Sequence, residues 1–377
     1  MIKFITGGKS HGKGLIATVR GIPAGLSINV KGINIELKRR QAGYGRSRRM
    51  KIEKDKVEIL SGVRLNKTTG RAITLAIWNK DWQKRKSGPI NVPRPGHADL
   101  PGAISYNQKN IRKIWERSSA RETAARVAAG AVAKKLLKEF KIEILSYVVE
   151  IGGIKADKHG SLVNSLKRKI KKIDDSPLRC LNKESEKKMM KKIDEAKKKG
   201  DSVGGVFEVI VFNIPVGLGS YIQWNRRLNA KLAAAVMSIQ GIKGIEVGLG
   251  FNSAREFGSQ VHDEIFYSKN RGFFHKTNNA GGIEGGMSNG EPIVLRAAMK
   301  PIPTLANPLN SVNLKTKKPA KAPVLRADVC AVPAAGVVGE AMVAIEIASA
   351  MTEKFGGETL QEMKLNYEKY VKYVRNF

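Results

Sequence analysis

Residues 118–140 constrain the fold of this 377-residue chain more than any other stretch. Ser118-Ser119-Ala-Arg-Glu122 opens the run ETAARVAAGAVAKKLLKEF, whose small apolar residues recur at helical spacing. Ser119 stands where an N-cap belongs and Glu122 follows three residues later, the order of a capping box, so a helix is expected to start here. A second alanine-rich helix is expected from about Gly339 to Lys354, turning Met342, Ile345 and Ala348 inward against a sheet. Strand-like runs occur at Gly14 to Val19, Val57 to Leu60, Ile73 to Trp78, Val206 to Phe212 and Ile293 to Ala298. Helices and strands alternate irregularly, which predicts an α+β fold rather than a doubly wound sheet. One echo runs through the chain: Gly21-Ile22-Pro23-Ala-Gly25-Leu26 returns as Asn213-Ile214-Pro215-Val-Gly217-Leu218, 192 residues later, each after a strand-like run. An internal pseudo-duplication and reuse of one turn chemistry both fit that echo.

The chain carries 68 Lys plus Arg against 33 Asp plus Glu, a net charge of +35, which points to anionic ligands. Residues 155–200 hold 16 of the cations and seven of the acids, net +9. Within them, about Glu184 to Lys199 spaces Met189, Met190, Ile193 and Ala196 as a helix does and stops before Gly200. The expectation is a solvated, lysine-rich helical insertion on one domain spanning 1–377. Cys180 and Cys330 lie 150 residues apart with no Cys or His at zinc spacing, so a disulfide scaffold and a zinc finger are excluded and no metal is expected. No apolar signal core opens the chain and no uninterrupted apolar run reaches membrane-spanning length, so no membrane partner and a cytoplasmic location are expected. A nucleic-acid-binding protein is the competing class on charge alone. With four Trp and few aromatics among the basic runs, stacking readout is poorly supported.

Four segments hold side chains suited to chemistry. Gly7-Gly8-Lys9-Ser10-His11-Gly12-Lys13-Gly14 looks like a phosphate loop, but one register puts Gly14 where a magnesium-binding Ser or Thr belongs and the other puts Lys3 where a glycine is needed. A serine beside a histidine in a strand-flanked turn remains. His97 sits in Pro93-Arg94-Pro95-Gly96-His97-Ala98-Asp99, a stiff turn with a cation on one side and a carboxylate two residues on, a setting for general-acid work as well as for a histidine that bonds only its own loop. Arg39-Arg40, Arg46, Arg48-Arg49, Arg117 and Arg121 offer guanidinium forks that match phosphate and carboxylate, the last two beside a helix start whose free N–H groups favour anions. Five glycines fall between Gly281 and Gly290 before a strand and Lys300-Pro301-Ile302-Pro303-Thr304, which suggests close backbone approach to a flat or phosphorylated ligand. Asp328, beside Arg326, is a single acid.

Taken in order, GGKSHGKG, GIPAGL, RRQAGYGR, VEILSGV, RPGHADL, RSSARETAARVAAGA, NNAGGIEGGMSNG, KPIPT and RADVCAVPAAGVVGEAM resemble the chorismate synthase family from about Thr6 to Thr352. The resemblance implies a β-α-β sandwich assembled as a homotetramer. It also implies a lyase that needs reduced FMN and removes phosphate from 5-enolpyruvylshikimate 3-phosphate by anti 1,4-elimination, giving chorismate without net redox change. By the same likeness, His11 would protonate the reduced flavin, His97 would be the acid near the departing phosphate, and Asp328 would help remove the ring proton. Ser10, Arg40, Arg46, Arg49 and Arg121 would hold the substrate. Arg117, Ser118, Ser119, Gln240, Gly241, Gly285, Lys300, Pro301, Ile302, Pro303, Thr304 and Arg326 would bound the flavin. If the chain reduces its own flavin with NADPH, Arg40 and Arg46 would also meet that dinucleotide; no GxGxxG fingerprint speaks for it. Three positions depart from the family pattern. Lys9 replaces an acidic residue and sets a cation beside His11, Gln240-Gly241 replaces Asn-Ala, and Ala327 replaces a histidine before Asp328. Lys9 and Ala327 keep an inactive relative of the family as the alternative.

Overall fold

The computed structural model describes residues 1–47, 54–80, 82, 88–156 and 173–377. Its first half runs β1 (Lys3–Gly8), β2 (Gly14–Arg20), α1 (Val30–Gln41), β3 (Val57–Ser61), a small hairpin of β4 (Val63–Arg64) and β5 (Lys67–Thr68), β6 (Ile73–Trp78), the short helices α2 (Asp99–Ser105) and α3 (Arg112–Ser118), and α4 (Thr123–Lys138). Next come β7 (Glu143–Ile151), β8 (Ile154–Lys155), α5 (Lys183–Lys198), β9 (Gly205–Phe212), α6 (Leu228–Met237), β10 (Ile242–Val247) and a one-turn α7 (Gly258–Val261). The chain closes with the hairpins β11 (Ile265–Ser268) with β12 (Gly272–His275) and β13 (Ile283–Glu284) with β14 (Met287–Ser288), then β15 (Ile293–Met299), the hairpin β16 (Asn310–Val312) with β17 (Pro319–Lys321), α8 (Val332–Phe355) and α9 (Leu360–Asn376). The content is mixed helix and strand.

Two antiparallel sheets, ordered β1-β2-β6-β3 and β10-β15-β9-β7-β8, flank the two long helices. Leu15, Ala17 and Val19 of β2 and Ile73, Leu75 and Ile77 of β6 alternate inward and are fully buried against α4. Helix α8 packs on β7 and β9, and α4 packs on α8, so the layers run sheet, helices, sheet. In β9 the period of two is hidden, because Phe207, Val209 and Val211 join the main core while Ile210 and Phe212 meet Leu145 and Ile173 on the other face. A continuous apolar run is what a strand covered on both sides requires.

The two echoed loops make the same hydrogen bonds. Thr68 Oγ1 donates to Pro23 O (2.6 Å) and accepts from Leu26 N (2.9 Å), while Ser288 Oγ donates to Pro215 O (2.6 Å) and accepts from Leu218 N (2.8 Å). Each hydroxyl stands on a small hairpin that precedes a central strand, and β1, β2, β6, β3 occupy the places that β7, β9, β15, β10 occupy in the second sheet.

Three helix expectations are corrected. Ser119 accepts from Arg121 N (3.3 Å) and so caps a 3-10 turn, Ala120–Glu122, that precedes α4. No capping box forms, because Glu122 instead takes Thr6 Oγ1 (2.6 Å), Arg126 Nε (2.8 Å) and Gln240 Nε2 (3.1 Å). Helix α8 begins at Val332, seven residues before the expected start, with Pro333 in its first turn, where a missing N–H costs nothing. Its glycines are packing sites: a Cβ on Gly336 would lie 2.8 Å from Ser146 Oγ, and one on Gly339 would lie 2.7 Å from Phe207. Nor is α5 merely solvated. Met189 and Ile193 are buried in the main core, and Tyr44 Oη donates to Asp194 Oδ1 (2.8 Å), so this lysine-rich helix supports the loop that carries Arg46. The expected insertion lies outside the described residues over 157–172.

Candidate active site

Helix α1 turns Ile33, Leu37 and Arg40 to one buried face, since residues three and four apart share a side. Arg40 therefore points inward, where its Nε donates to Thr123 Oγ1 (2.8 Å) and its Nη2 to Ala120 O (3.1 Å). Arg121 donates Nη1 to Asp55 Oδ2 (2.6 Å) and both Nε (3.1 Å) and Nη2 (2.9 Å) to Asn79 Oδ1. Asp55 also faces Arg40 Nη1 at 3.5 Å, and Arg46 Nη1 pairs with Asp328 Oδ2 at 3.1 Å. Three enclosed guanidinium groups thus share two carboxylates. Burial, opposed by Asp55 and reinforced by Arg121 and Arg46, pushes the Arg40 guanidinium down to about 9. It stays charged at neutral pH, and an anionic ligand would relieve its strain.

The Asn79 amide ties this cluster to the β1–β2 turn, donating to Gly12 O (2.8 Å), Lys9 O (3.3 Å) and Ser10 O (3.4 Å). That turn presents His11 to the cleft. Ser10 is fully buried behind it, its backbone N–H on Glu116 O (3.0 Å) and its Oγ without a partner. Lys9 reaches Glu116 Oε2 at 3.5 Å, so its charge beside His11 is shared with a carboxylate.

Across the cleft, His97 Nδ1 meets Asp99 Oδ1 at 2.6 Å. Burial would raise the Asp99 carboxyl, but hydrogen bonds from His97 and Arg94 outweigh it and hold the group well below the usual carboxylate range. Arg94 Nη1 donates to Thr304 Oγ1 (2.8 Å), which fixes the 93–99 turn to the Lys300–Thr304 segment. Asp328 Oδ1 accepts from Ser47 N (2.6 Å), so the acid stays aligned with Arg46.

One cleft of about 920 Å³ is lined by His11, His97, Asp328, Arg40, Arg46, Arg121, Ser118, Ser119, Gln240, Gly241, Lys300, Pro301, Ile302, Pro303, Thr304 and Arg326. Its apolar wall comes from Ile239, Met299 and the start of α8, at Ala334, Ala335 and Val338. Arg49 lies outside the described residues. Two expected flavin contacts are not brought to the cleft. Arg117 turns away to donate to Thr6 O (3.1 Å) and Thr6 Oγ1 (3.0 Å), which pins α3 to β1. Gly285 lies in the β13–β14 turn at φ +57°. The neighbouring glycines make room for protein rather than ligand: a Cβ on Gly281 would lie 2.4 Å from Gly248 N, and one on Gly282 would lie 2.5 Å from Pro292 O. Asp55, Asn79 and Trp115 were not legible in the sequence, because they meet their partners across 15 to 70 residues of chain.

A family model described as chorismate synthase matches residues 2–352. The chorismate synthase of Geobacter metallireducens is 54% identical over 396 residues, and that of Aquifex aeolicus 54% identical over 393; all of this chain is covered in both, with 100% and 99% of theirs. A crystal structure of a chorismate synthase aligns with a TM-score of 0.84 at 48% identity, over 100% of this chain and 99% of that one. Agreement of this extent among the family model, the relatives and a solved structure shows that the chain belongs to the chorismate synthase family.

Proposed function

We propose that this cleft removes phosphate from 5-enolpyruvylshikimate 3-phosphate with reduced FMN held beside the substrate, and that the chain works as a cytoplasmic homotetramer. Enzymes of the family are carbon–oxygen lyases acting on phosphates and make chorismate at the last common step of the shikimate pathway. One observation supports the residue roles above all others: Arg40, Arg46 and Arg121 meet His11, His97 and Asp328 around a single cleft. A substrate with one phosphate and two carboxylates suits that excess of buried positive charge.

The residues present also fit FMN. An apolar wall suits a flat ring, Gln240 Oε1 is enclosed without a partner, and Lys300 and Arg326 supply cations, whereas Ser10, expected against the substrate, is buried outside the cleft lining. Ser118, Ser119, Gln240, Gly241, Lys300 to Thr304 and Arg326 would hold it, without Arg117 and Gly285. When bound, reduced FMN supplies the electron density that weakens the allylic carbon–oxygen bond. The three arginines grip the substrate's anionic groups and exclude water. His97 donates a proton from Nε2 to the departing phosphate oxygen, Asp328 takes up the proton lost from the ring, and His11 holds a proton towards the flavin. With one proton and one phosphate lost, the reaction is redox neutral.

Tyr221, Ile222, Trp224, Phe251 and Phe257, each 67–81% exposed, support self-association. The shared strand order and matched loop hydrogen bonds support reading the two halves as a pseudo-duplication. Anaerobic turnover with photoreduced FMN, following chorismate absorbance and phosphate release together, tests the activity. Equal amounts of both products are expected. Neither product from folded, flavin-binding protein would overturn the proposal, and repeating the assay with NADPH and oxidised FMN decides whether the chain reduces its own flavin.

A further inference from the structure

Asp99 is the first residue of α2, and its side chain is completely enclosed. Every group around it is a donor. Oδ1 takes His97 Nδ1 (2.6 Å), Trp115 Nε1 (2.7 Å) and Arg94 Nη2 (3.2 Å), while Oδ2 takes the Arg94 backbone N–H (3.0 Å) and Arg94 Nε (2.8 Å). The two arginine contacts on Oδ2 and the indole on Oδ1 fix the carboxylate's plane, and the fixed plane aims Oδ1 at the imidazole. Two guanidinium groups also lie over the Trp115 ring, Arg94 at 4.5 Å and Arg112 at 5.6 Å from its centre.

An acceptor at Nδ1 settles which ring nitrogen carries the permanent proton. Nδ1 keeps its hydrogen in both charge states of the ring, so the exchangeable proton sits on Nε2, the nitrogen an acid must present, with Arg94 Nη2 3.3 Å from it. We propose that Asp99 is the positioning residue of His97, fixing the Nδ1–H tautomer and ring orientation, with Trp115 and Arg94 holding Asp99 in turn. This rests on the reading of His97 as the general acid. The elimination gives Asp99 no proton to transfer, so its role is exerted through the ring.

The shell also makes a sharp test possible, because an asparagine there has an NH₂ group that must meet a donor. At the Oδ2 position the NH₂ would meet two Arg94 donors and no acceptor, whereas at the Oδ1 position it still crowds Trp115 Nε1 but can donate to His97 Nδ1, which forces the opposite tautomer. Long-range ¹H–¹⁵N correlations on labelled full-length protein read the tautomer directly, and the anaerobic assay reads kcat and KM for Asp99→Asn and His97→Ala. The parent is expected to show Nδ1–H and Asp99→Asn to show Nε2–H. A fall in kcat of about 10²-fold or more, with KM changed much less, should accompany it, as for a triad carboxylate replaced by its amide. A neutral parent ring with its hydrogen on Nε2 and none on Nδ1 would overturn the proposal whether or not Asp99→Asn folds. An unmoved tautomer in folded Asp99→Asn, with His97→Ala inactive, would overturn the positioning alone. Parent turnover in His97→Ala would instead remove the acid reading and with it the catalytic consequence of the positioning.

Discussion

His97 stands between the Asp99 carboxylate and the Arg94 guanidinium at the wall of a cleft rich in positive charge. Its replacement by alanine leaves that carboxylate bonded to Trp115 and Arg94, so the turn should keep its shape while the proton source is lost. His97→Ala is therefore expected to lower kcat by about 10²-fold or more, the usual worth of a general acid. Steady-state rates under reduced, anaerobic conditions check this, and parent-like turnover would place the acid elsewhere. Residues of this kind were legible where their partners are close in the chain: Arg94, His97 and Asp99 lie within one turn stiffened by two prolines. Arg40, Asp55, Asn79 and Arg121 were not all legible, because Arg40 meets Thr123 across 83 residues and Arg121 meets Asp55 across 66. Nothing in local spacing marks Asn79 as the amide that joins the arginine cluster to the histidine turn.

Where α4 packs on α8, a Cβ added to Gly130 would lie 2.4 Å from Ala341 Cβ and 2.8 Å from Ala341 O. Helix propensity alone favours Gly130→Ala by about 1 kcal/mol. Overpacking opposes it and should win, since the neighbouring atoms include backbone of a helix buried along most of its length, and we expect a net loss of about 1–3 kcal/mol. Urea denaturation measures it; an unchanged or higher midpoint would mean that the helices separate without cost. The element scale also explains the misplaced helix starts. Ser119 and Glu122 have the spacing of a capping box, yet the burial of Glu122 among Thr6, Arg126 and Gln240 outweighs the local preference. Small residues in α8 carry the opposite lesson, as Gly336 and Gly339 look like weak helix formers but permit contact with β7 and β9.

At the scale of the whole molecule, Glu340 joins α8 to α1, α4 and β7. Its sealed carboxylate accepts from Arg39 Nη1 (2.7 Å), Arg179 Nη2 (2.9 Å) and Ser146 Oγ (2.7 Å), with Lys134 alongside. Burial raises this carboxyl, but Arg39, Lys134 and Arg179 outweigh it and hold it well below its ordinary value; Asp99 and Glu122 are lowered too. Unfolded carboxyl groups take up protons near pH 4, before these folded ones do. The stability they contribute is thus fully present above about pH 5 and is lost as pH falls below about 4 through the lowered folded values. Urea midpoints measured from pH 7 down to pH 3 should be level at first and then fall; a midpoint that rises on acidification would contradict the assignment. By itself the sequence determined what short-range periodicity, loop chemistry and ordered motifs can specify: the two alanine-rich core helices, five of the strands, the charge that calls for anionic ligands, and a family likeness naming 16 of the 35 residues that line the cleft. Only the tertiary structure decided which side chains meet. Arg117 and Gly285 are turned from the cleft, Asn79 and Asp55 are brought into the arginine cluster, and α5 is set under the Arg46 loop. These outcomes depend on burying charge in company and on close packing between segments far apart in the chain, and neither leaves a mark on local sequence.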